Sequence, residues 1–301
     1  MKFNKILSFA LMAVSAIAFT ACESDDPDTG KSVIVTGNTV KNDFDKWLEA
    51  NYNKPYNIDF KYRYEDIEGD FDYYLVPARY EDAITMAHLV KYLCVETYNE
   101  VAGTDFTRQY FPKMFYTVGE WEYKNNGTFI LGTAEGGRKI FLAGLNYLPQ
   151  CLEMGTDAMN YYYFKTIHHE FTHILNQTRP MPSAFQTVTY DSYVADLWSE
   201  PPYDTGFEAR GYVSSYAQHS YTEDFAEVMS IYITYDEASW NDLITTAGAS
   251  GADLINQKLD LVKEYLYTTF NIDIDDLRSV IQRRQKEVMS GKVDLTDLTV
   301  K

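Results

Sequence analysis

Residues 163–177 read Tyr-Phe-Lys-Thr-Ile-His-His-Glu-Phe-Thr-His-Ile-Leu-Asn-Gln, and they contain the most informative motif of the chain. His169 and His173 stand four positions apart, so in a helix both imidazoles project from one face and can reach one metal ion. Glu170 is rotated by about 100° from His169, which suits a base that takes a proton from water without binding the ion. The apolar residues cluster on the opposite side: Phe164, Ile167, Phe171, Ile174 and Leu175. The stretch therefore predicts a helix with an apolar face toward a sheet and two histidines toward a cleft.

The whole chain has only five histidines, so their placement is informative. His168 points toward the edge of the apolar face, and we interpret it as a core histidine rather than a ligand. A catalytic zinc ion needs three protein ligands and one open position. The metzincin class would require glycine at 176 and histidine at 179, but this sequence has Asn176 and Arg179. That class is excluded, and the third ligand must come from elsewhere.

The best source of a third ligand is the segment 214–227, Ser-Ser-Tyr-Ala-Gln-His-Ser-Tyr-Thr-Glu-Asp-Phe-Ala-Glu. Glu223 and Glu227 stand four positions apart at the start of a predicted helix. One carboxylate could bind the ion while the other accepts the second ring N–H of a ligating histidine. Acidic residues also favour helix N-termini because they offset the helix dipole, so spacing leaves the choice open. The weaker candidates are Glu200, Glu208 and His219.

The N-terminal residues predict an export signal followed by a tether. Two lysines precede an apolar run of 14 residues, Ile6 to Phe19, which is too short to span a bilayer. Small residues then lead to Cys22 in the manner of a bacterial lipobox, whose cysteine is acylated. We expect a signal peptide over 1–21 and a lipidated cysteine with an acidic tether over 22–34. This predicts a chain anchored by lipid to the bacterial outer membrane, at the cell surface or on the periplasmic side.

Composition limits the partners and the kinds of site. The formal net charge is −18, from 44 acidic and 26 basic residues. Binding to nucleic acid or to an anionic membrane surface needs an excess of lysine and arginine, so both are excluded. No Cys-x-x-Cys motif occurs, which removes zinc sites built from thiolates. Whether Cys94 and Cys151 pair is open, although the apolar neighbours of Cys94 favour a buried free thiol.

Residues 35–301 are interpreted as one domain of the α+β class. Short apolar runs predict strands in the first half, and Asn126-Gly127 predicts a hairpin between the runs 114–118 and 128–132. Helical periodicity dominates the second half. The other predicted strands are 57–64, 73–76 and 139–143. The predicted helices are 41–52, 80–101, 158–177, 222–235, 252–270 and 274–290.

The motif His-Glu-Phe-Thr-His at 169–173, followed by Ser-Tyr-x6-Glu-Asp-Phe-Ala-Glu at 215–227, resembles the gluzincin metallopeptidases and their lethal-factor-type subgroup. With the lipobox and Asn-Ile-Asp-Ile-Asp-Asp-Leu-Arg at 271–278, it is similar to a narrower family of zinc-binding metallopeptidase lipoproteins associated with TonB-dependent nutrient import. The resemblance implies a zincin-like domain, with a small mixed sheet packed on the HExxH helix and a mostly helical C-terminal half. It also implies roles for six residues: His169, His173 and Glu223 would hold one Zn²⁺, Glu170 would be the general base, Tyr216 the active-site tyrosine, and Glu227 an outer-shell partner.

These features predict a lipid-anchored zinc peptidase that hydrolyses a peptide or glycopeptide. The alternative is a non-catalytic, metal-containing lipoprotein that captures a nutrient for a TonB-dependent transporter. Hydrolysis of a non-peptide amide is a third reading, because the same groups serve any such carbonyl. An intact Glu170 favours an enzyme, since a binding protein needs no base beside the metal.

Overall fold

The computed structural model describes residues 40–68, 73, 75–123, 129–130, 132–135 and 138–300. The predicted signal peptide, Cys22, the tether and the Asn126-Gly127 turn lie outside these residues. The chain divides into the units Met1–Lys41 and Asn42–Lys301. Within the first unit only residues 40 and 41 are described, so the architecture below is that of the second unit.

Six short strands occur in the described part of the first half. They are β1 (Asp59–Lys61), β2 (Met114–Thr117), β3 (Glu122–Tyr123), β4 (Phe129–Ile130), β5 (Gly132–Glu135) and β6 (Lys139–Leu142). Four of them form a mixed sheet in the order β1-β2-β6-β5. Strands β1, β2 and β6 run parallel, and β5 runs antiparallel to β6. Strands β3 and β4 form a separate antiparallel pair.

The strand predictions need two corrections. Strand forms only at the centre of the run 57–64, and residues 75–76 of the run 73–76 are not in a strand. The predicted hairpin between 114–118 and 128–132 is wrong, because β2 pairs with β1 and β6 whereas β4 pairs with β3. The physical reason is that β2 buries successive side chains on both faces, as a central parallel strand does when helices cover the sheet.

Helices make up most of the remaining structure. In the first half they are α1 (Asp43–Leu48), α2 (Lys54–Tyr56), α3 (Tyr80–Val90), α4 (Glu96–Ala102), α5 (Thr104–Tyr110) and α6 (Leu148–Met154). In the second half they are α7 (Thr156–Met159), α8 (Lys165–Thr178), α9 (Phe185–Val188), α10 (Tyr221–Thr234), α11 (Glu237–Phe270) and α12 (Ile274–Met289). Helices α2, α5, α6 and α9 were not predicted, and α11 begins 15 residues before the predicted start at 252.

Helix α8 lies against the sheet through its apolar face. Phe171 is fully buried, with its ring 4.8 Å from that of Tyr98 and 5.0 Å from that of Phe111. The ring of Phe111 lies 6.0 Å from Phe115 on β2, and α8 also packs along β5. Burying one such phenylalanine stabilises the fold by about 1.5–3 kcal/mol. This packing turns the opposite face of α8, which carries His169 and His173, away from the sheet.

The C-terminal half is helical, and α10 packs between α8 and the last two helices. Helix α11 is kinked at Gly248, and its Gly251 lies against the turn Glu208–Arg210. The predicted coarse class is confirmed, since the structure is mixed α/β, mostly helical and contains one small, largely parallel sheet. Both Cys94 and Cys151 are buried free thiols. Among the described residues, no helix has the length and apolar character needed to cross a membrane.

Candidate metal centre

Three side chains from two helices converge on one point. The Nε2 atoms of His169 and His173 on α8 lie 3.0 Å apart. Oε2 of Glu223 on α10 lies 2.9 Å from Nε2 of His169 and 3.1 Å from Nε2 of His173. Zinc–ligand bonds of about 2.0–2.1 Å in a tetrahedron separate neighbouring ligand atoms by about 3.3 Å. The three ligand atoms therefore have the spacing and chemistry of a zinc site, and small outward shifts would admit the ion.

The start of α10 holds Glu223 in place. Ser220 caps the helix, and its hydroxyl oxygen accepts a hydrogen bond from the backbone N–H of Glu223 at 3.4 Å. The cap sets Glu223 in the first turn, where the helix dipole favours a carboxylate. The four-residue spacing of the histidines and the Ser-x-x-Glu cap thus position the ligands within their own helices. The packing of α8 against α10 brings them together.

The three ligand candidates perturb each other's protonation. Burial opposes the charged form of His169, but hydrogen bonds with Glu223 and Glu227 outweigh it and raise the pKa of His169 to about 9. Burial also opposes ionisation of Glu223, yet hydrogen bonds from both histidines hold its pKa well below the usual range. In the metal-free chain a proton on His169 therefore offsets charge that a cation would otherwise offset.

Glu227 lies behind His169 rather than among the three ligand atoms. Its Oε1 is 2.7 Å from Nδ1 of His169 and 2.9 Å from Nζ of Lys165. Its Oε2 accepts a hydrogen bond from the hydroxyl of Ser214 at 2.6 Å. Burial opposes the ionised form of Glu227, but the charges of Lys165 and His169 outweigh it and hold its pKa well below the usual range. The carboxylate is thus fixed in the position that orients the ring of His169.

The sequence did not predict that Lys165 and Ser214 contact Glu227 beside the ligand cluster. Lys165 stands four positions before His169, which places its ammonium group above the histidine on the same face of α8. Spacing gives the same signal for a solvated surface lysine, so only the neighbouring α10 distinguishes the two cases. The set Glu170, Glu223, Glu227 and Lys165 has three carboxylates and one ammonium group, so a divalent cation would neutralise it.

Tyr216 stands beside the ligands on a short turn, Tyr216–Gln218. Its ring centroid is 5.9 Å from that of His169, and the ring of Trp198 packs edge-on against it at 5.0 Å. Burial raises the pKa of Tyr216 well above its usual value, and the charge of Glu223 adds to this effect. The hydroxyl is therefore a neutral hydrogen-bond donor at any ordinary pH.

The weaker ligand candidates are not in the cluster. Nε2 of His219 lies 3.5 Å from Asp196, and its ring packs against Tyr216. Glu208 belongs to the turn that contacts α11. Glu200 follows the turn Ala195–Ser199 as its C-terminal cap. Of the metal-binding sets that the described residues can form, none includes these three.

His168 is a core residue, as interpreted from the sequence. Its side chain is buried, and Nδ1 lies 3.0 Å from the hydroxyl oxygen of Tyr98. Burial lowers the pKa of His168 to about 3, so the ring is neutral. It faces the aromatic core on the opposite side of α8 from the cleft.

A second buried ion pair supports the helix that carries Glu223. Nζ of Lys258 on α11 lies 2.6 Å from Oδ2 of Asp224, and neither side chain is exposed. Tyr193 donates a hydrogen bond to the same carboxylate at 2.9 Å, and Lys258 donates one to the Gly211 carbonyl at 2.8 Å. The pair ties the first turn of α10 to α11 and to the irregular segment before it. No sequence pattern indicated this pair.

The ligand cluster opens into a cleft of about 440 Å³. Glu170, His173 and Glu223 all line it, so the candidate base and two candidate ligands face the same space. The rest of the lining comes from the end of α8, the segment after it and the start of α10: Asn176, Gln177, Pro180, Met181, Gln186, Tyr221 and Thr222. A molecule bound in this cleft would lie beside both Glu170 and two of the three candidate ligands.

Comparisons with known proteins agree with the chemistry of the cluster. The sequence profile of the family described as "Putative zinc-binding metallo-peptidase" matches residues 37–275, which include α8 and α10. The chain is also similar to a solved structure, a putative zinc-binding metallo-peptidase from Bacteroides caccae, at 40% identity and a TM-score of 0.74. That alignment covers 85% of this chain and 96% of the other. Comparison with curated proteins gave no match.

Proposed function

This chain belongs to the putative zinc-binding metallo-peptidase family, and from that premise we propose that it is a zinc peptidase of gluzincin type with a zincin-like domain. His169, His173 and Glu223 would hold one zinc ion, which supplies Lewis-acid chemistry when bound, lowering the pKa of water and polarising a carbonyl. The observation that carries the proposal is the triangle of three ligand atoms, 2.9–3.1 Å apart, with Glu170 lining the same cleft.

Glu170 would act as the general base. It is adjacent to His169 on α8 and is rotated away from the two ligand rings, so its carboxylate can accept a proton from water without binding the ion. The same carboxyl group would then donate that proton to the leaving amine. Metal binding alone does not require a carboxylate at this position, because His169, His173 and Glu223 already supply three ligands.

Tyr216 would stabilise the oxyanion that develops on the substrate carbonyl. Its raised pKa keeps the hydroxyl protonated, and the packing of Trp198 and His169 against the ring fixes its direction. A preorganised O–H donor costs little reorganisation when charge develops, which is why such donors contribute strongly to rate. Glu227 would contribute indirectly, by orienting His169.

Replacement of Glu170 tests the proposal. We expect Glu170→Gln to bind one zinc ion per chain, as the wild type does, and to lose more than 99% of its peptide hydrolysis, since the amide cannot accept the proton. The matched control is Glu153→Gln, at an exposed position of α6, which should keep full activity. Undiminished hydrolysis by Glu170→Gln would refute the role. Tight peptide binding without hydrolysis by the zinc-loaded wild type would favour the alternative, a nutrient-binding lipoprotein.

We also propose that lipid on Cys22 anchors the chain to the outer membrane and that it works with a TonB-dependent import system. The support is the lipobox and the acidic tether in the sequence. Cys22→Ser should move the protein from the membrane fraction to the soluble fraction, whereas Ser24→Ala in the tether should not. If the Cys22→Ser protein remained in the membrane fraction, the proposal of a lipid anchor on Cys22 would be wrong. Copurification of a TonB-dependent transporter with the membrane-bound chain tests the partner.

A further inference from the structure

The cleft beside the ligand cluster has an unusual lining of side-chain amides. Asn176, Gln177 and Gln186 border it, together with Pro180 and Met181. Apart from Glu170, His173 and Glu223, the described lining residues have no carboxylate, ammonium, guanidinium or imidazole group. Glu223 is bound to two histidines, and Glu170 has its own task under the proposed function. The remainder of the wall therefore offers hydrogen bonds and apolar contact but no counter-charge.

The hydrogen-bonding capacity of this wall is unused. Both polar atoms of the Asn176 amide are shut off from solvent and have no hydrogen-bond partner. A buried amide without a partner is destabilising, so a bound group that forms hydrogen bonds with it regains that free energy. Gln177 is exposed and Gln186 half-buried, and neither side chain makes a hydrogen bond with the part of the chain that the structure describes, so both amides are open to water or to a ligand. Met181 and Gln186 border the same cleft as Asn176 and have unbranched side chains with several rotatable bonds, so we expect a ligand to reach Asn176 by rotation of these side chains.

Helix geometry gives the distance of Asn176 and Gln177 from the candidate ligand His173 along the axis of α8. Asn176 and Gln177 follow His173 by three and four positions on α8. At about 1.5 Å per residue they lie about 4.5–6 Å further along the helix axis. An extended peptide advances by about 3.4 Å per residue. A substrate lying along α8 would therefore place a residue one or two positions from the scissile bond against these amides.

We propose that Asn176, Gln177 and Gln186 form a subsite that selects an uncharged polar residue, such as serine, threonine, asparagine or glutamine, one or two positions from the scissile bond of a peptide. The proposal rests on the proposed function. A charged substrate side chain would lose water without gaining a counter-charge. An apolar side chain would leave the three amides desolvated and unpaired. A neutral side chain with donors and acceptors avoids both costs.

Cleavage of matched peptides tests the subsite. The zinc-loaded full chain is given peptides that differ at a single residue, one or two positions from the cleaved bond, and carry Gln, Ser, Leu, Lys or Glu there. At 150 mM salt, which screens the acidic surface, we expect kcat/KM for Gln or Ser to exceed that for Lys or Glu at least tenfold. Gln186→Glu should raise the ratio of kcat/KM for the Lys peptide to kcat/KM for the Gln peptide at least tenfold. The matched control is Gln109→Glu, at an exposed position of α5, which should change nothing.

A binding measurement separates this proposal from the proposed function. The same peptides are titrated into zinc-loaded Glu170→Gln protein and followed by fluorescence anisotropy. Tighter binding of peptides with neutral polar residues, shifted toward Lys by Gln186→Glu, supports the subsite. This holds even if the wild type cleaves no peptide, a result that would refute only the peptidase. Cleavage with no such preference, or with Lys or Glu preferred by the wild type, overturns the subsite and leaves the peptidase standing. Equal shifts in Gln186→Glu and Gln109→Glu overturn it as well.

Discussion

Replacement of Glu227 by glutamine should weaken zinc binding and destabilise the metal-free fold by separate routes. The carboxylate is buried, 2.7 Å from Nδ1 of His169 and 2.9 Å from Nζ of Lys165. Losing an outer-shell carboxylate on a ligating histidine typically lowers metal affinity 10–100-fold, or about 1.4–2.7 kcal/mol. Removing one partner of a buried ion pair costs about 3–5 kcal/mol. The side chain of Lys165 is 20% exposed, so we expect the lower end, about 3 kcal/mol.

A second substitution distinguishes the two routes. In Glu227→Gln with Lys165→Met no unpaired charge remains, so the free energy of unfolding should return to within about 1 kcal/mol of the wild type. Zinc affinity should recover only in part, because the charge repulsion from Lys165 is gone but His169 still lacks its carboxylate partner.

The assays are zinc competition against a chromophoric chelator at pH 7.5 and urea unfolding in the presence of EDTA. The reasoning fails if Glu227→Gln binds zinc within twofold of the wild type. It also fails if the double variant regains full zinc affinity, since the charge of Lys165 would then account for the whole effect.

Three further predictions concern the oxyanion, the proton and the packing of α11. Tyr216→Phe should lower kcat about 100–1,000-fold with zinc content unchanged, and a loss below fivefold would exclude the tyrosine as an oxyanion donor. The pKa of His169 is raised from 6.5 to about 9. In the metal-free chain, protonated His169 should therefore contribute fully to the free energy of unfolding below pH 6.5, and this contribution should be lost as the pH rises through 9. Urea unfolding in the presence of EDTA between pH 6 and 9 measures this contribution. The apparent zinc affinity should rise over the same pH interval, because His169 releases a proton as the ion binds. If neither the free energy of unfolding nor the zinc affinity changed with pH, the raised pKa of His169 would be wrong. Gly251→Ala should destabilise the fold by more than about 2 kcal/mol, because the added Cβ would lie 2.3 Å from the Glu208 carbonyl oxygen. Thermal melting measures the change in stability. An unchanged Tm would show that the turn Glu208–Arg210 shifts without cost.

The parts of the site that sequence alone predicted are those encoded by one helix. His169, Glu170 and His173 lie within five residues, and a period of 3.6 residues per turn fixes which of them share a face. The same periodicity placed Phe171 on the buried side, where it contacts Tyr98 and Phe111. Local geometry decides all of this, so one sequence is enough.

The pairing of strands and the buried ion pairs could not be predicted in this way. The hairpin signal at Asn126-Gly127 was assigned to the wrong strand, because a turn motif says that two strands meet but not which apolar run will be their neighbour in the sheet. Lys258 stands 34 positions from Asp224, and an isolated lysine in a helical pattern predicts solvent exposure rather than burial.

Local periodicity in the sequence was enough to place His169 and His173 on one face of α8 with Glu170 next to them, and to identify the acidic segment that carries Glu223, the third candidate ligand. The motifs also indicated the family. The family resemblance implied different roles for the two glutamates of α10, whereas the geometry that separates them belongs to the tertiary structure: Glu223 lies beside both histidines and Glu227 between His169 and Lys165. Residues four apart share a helix face, so helical spacing alone does not distinguish Glu223 from Glu227. Their difference arises from the angle and register at which α10 meets α8, and these are set by packing across more than 50 residues of intervening chain.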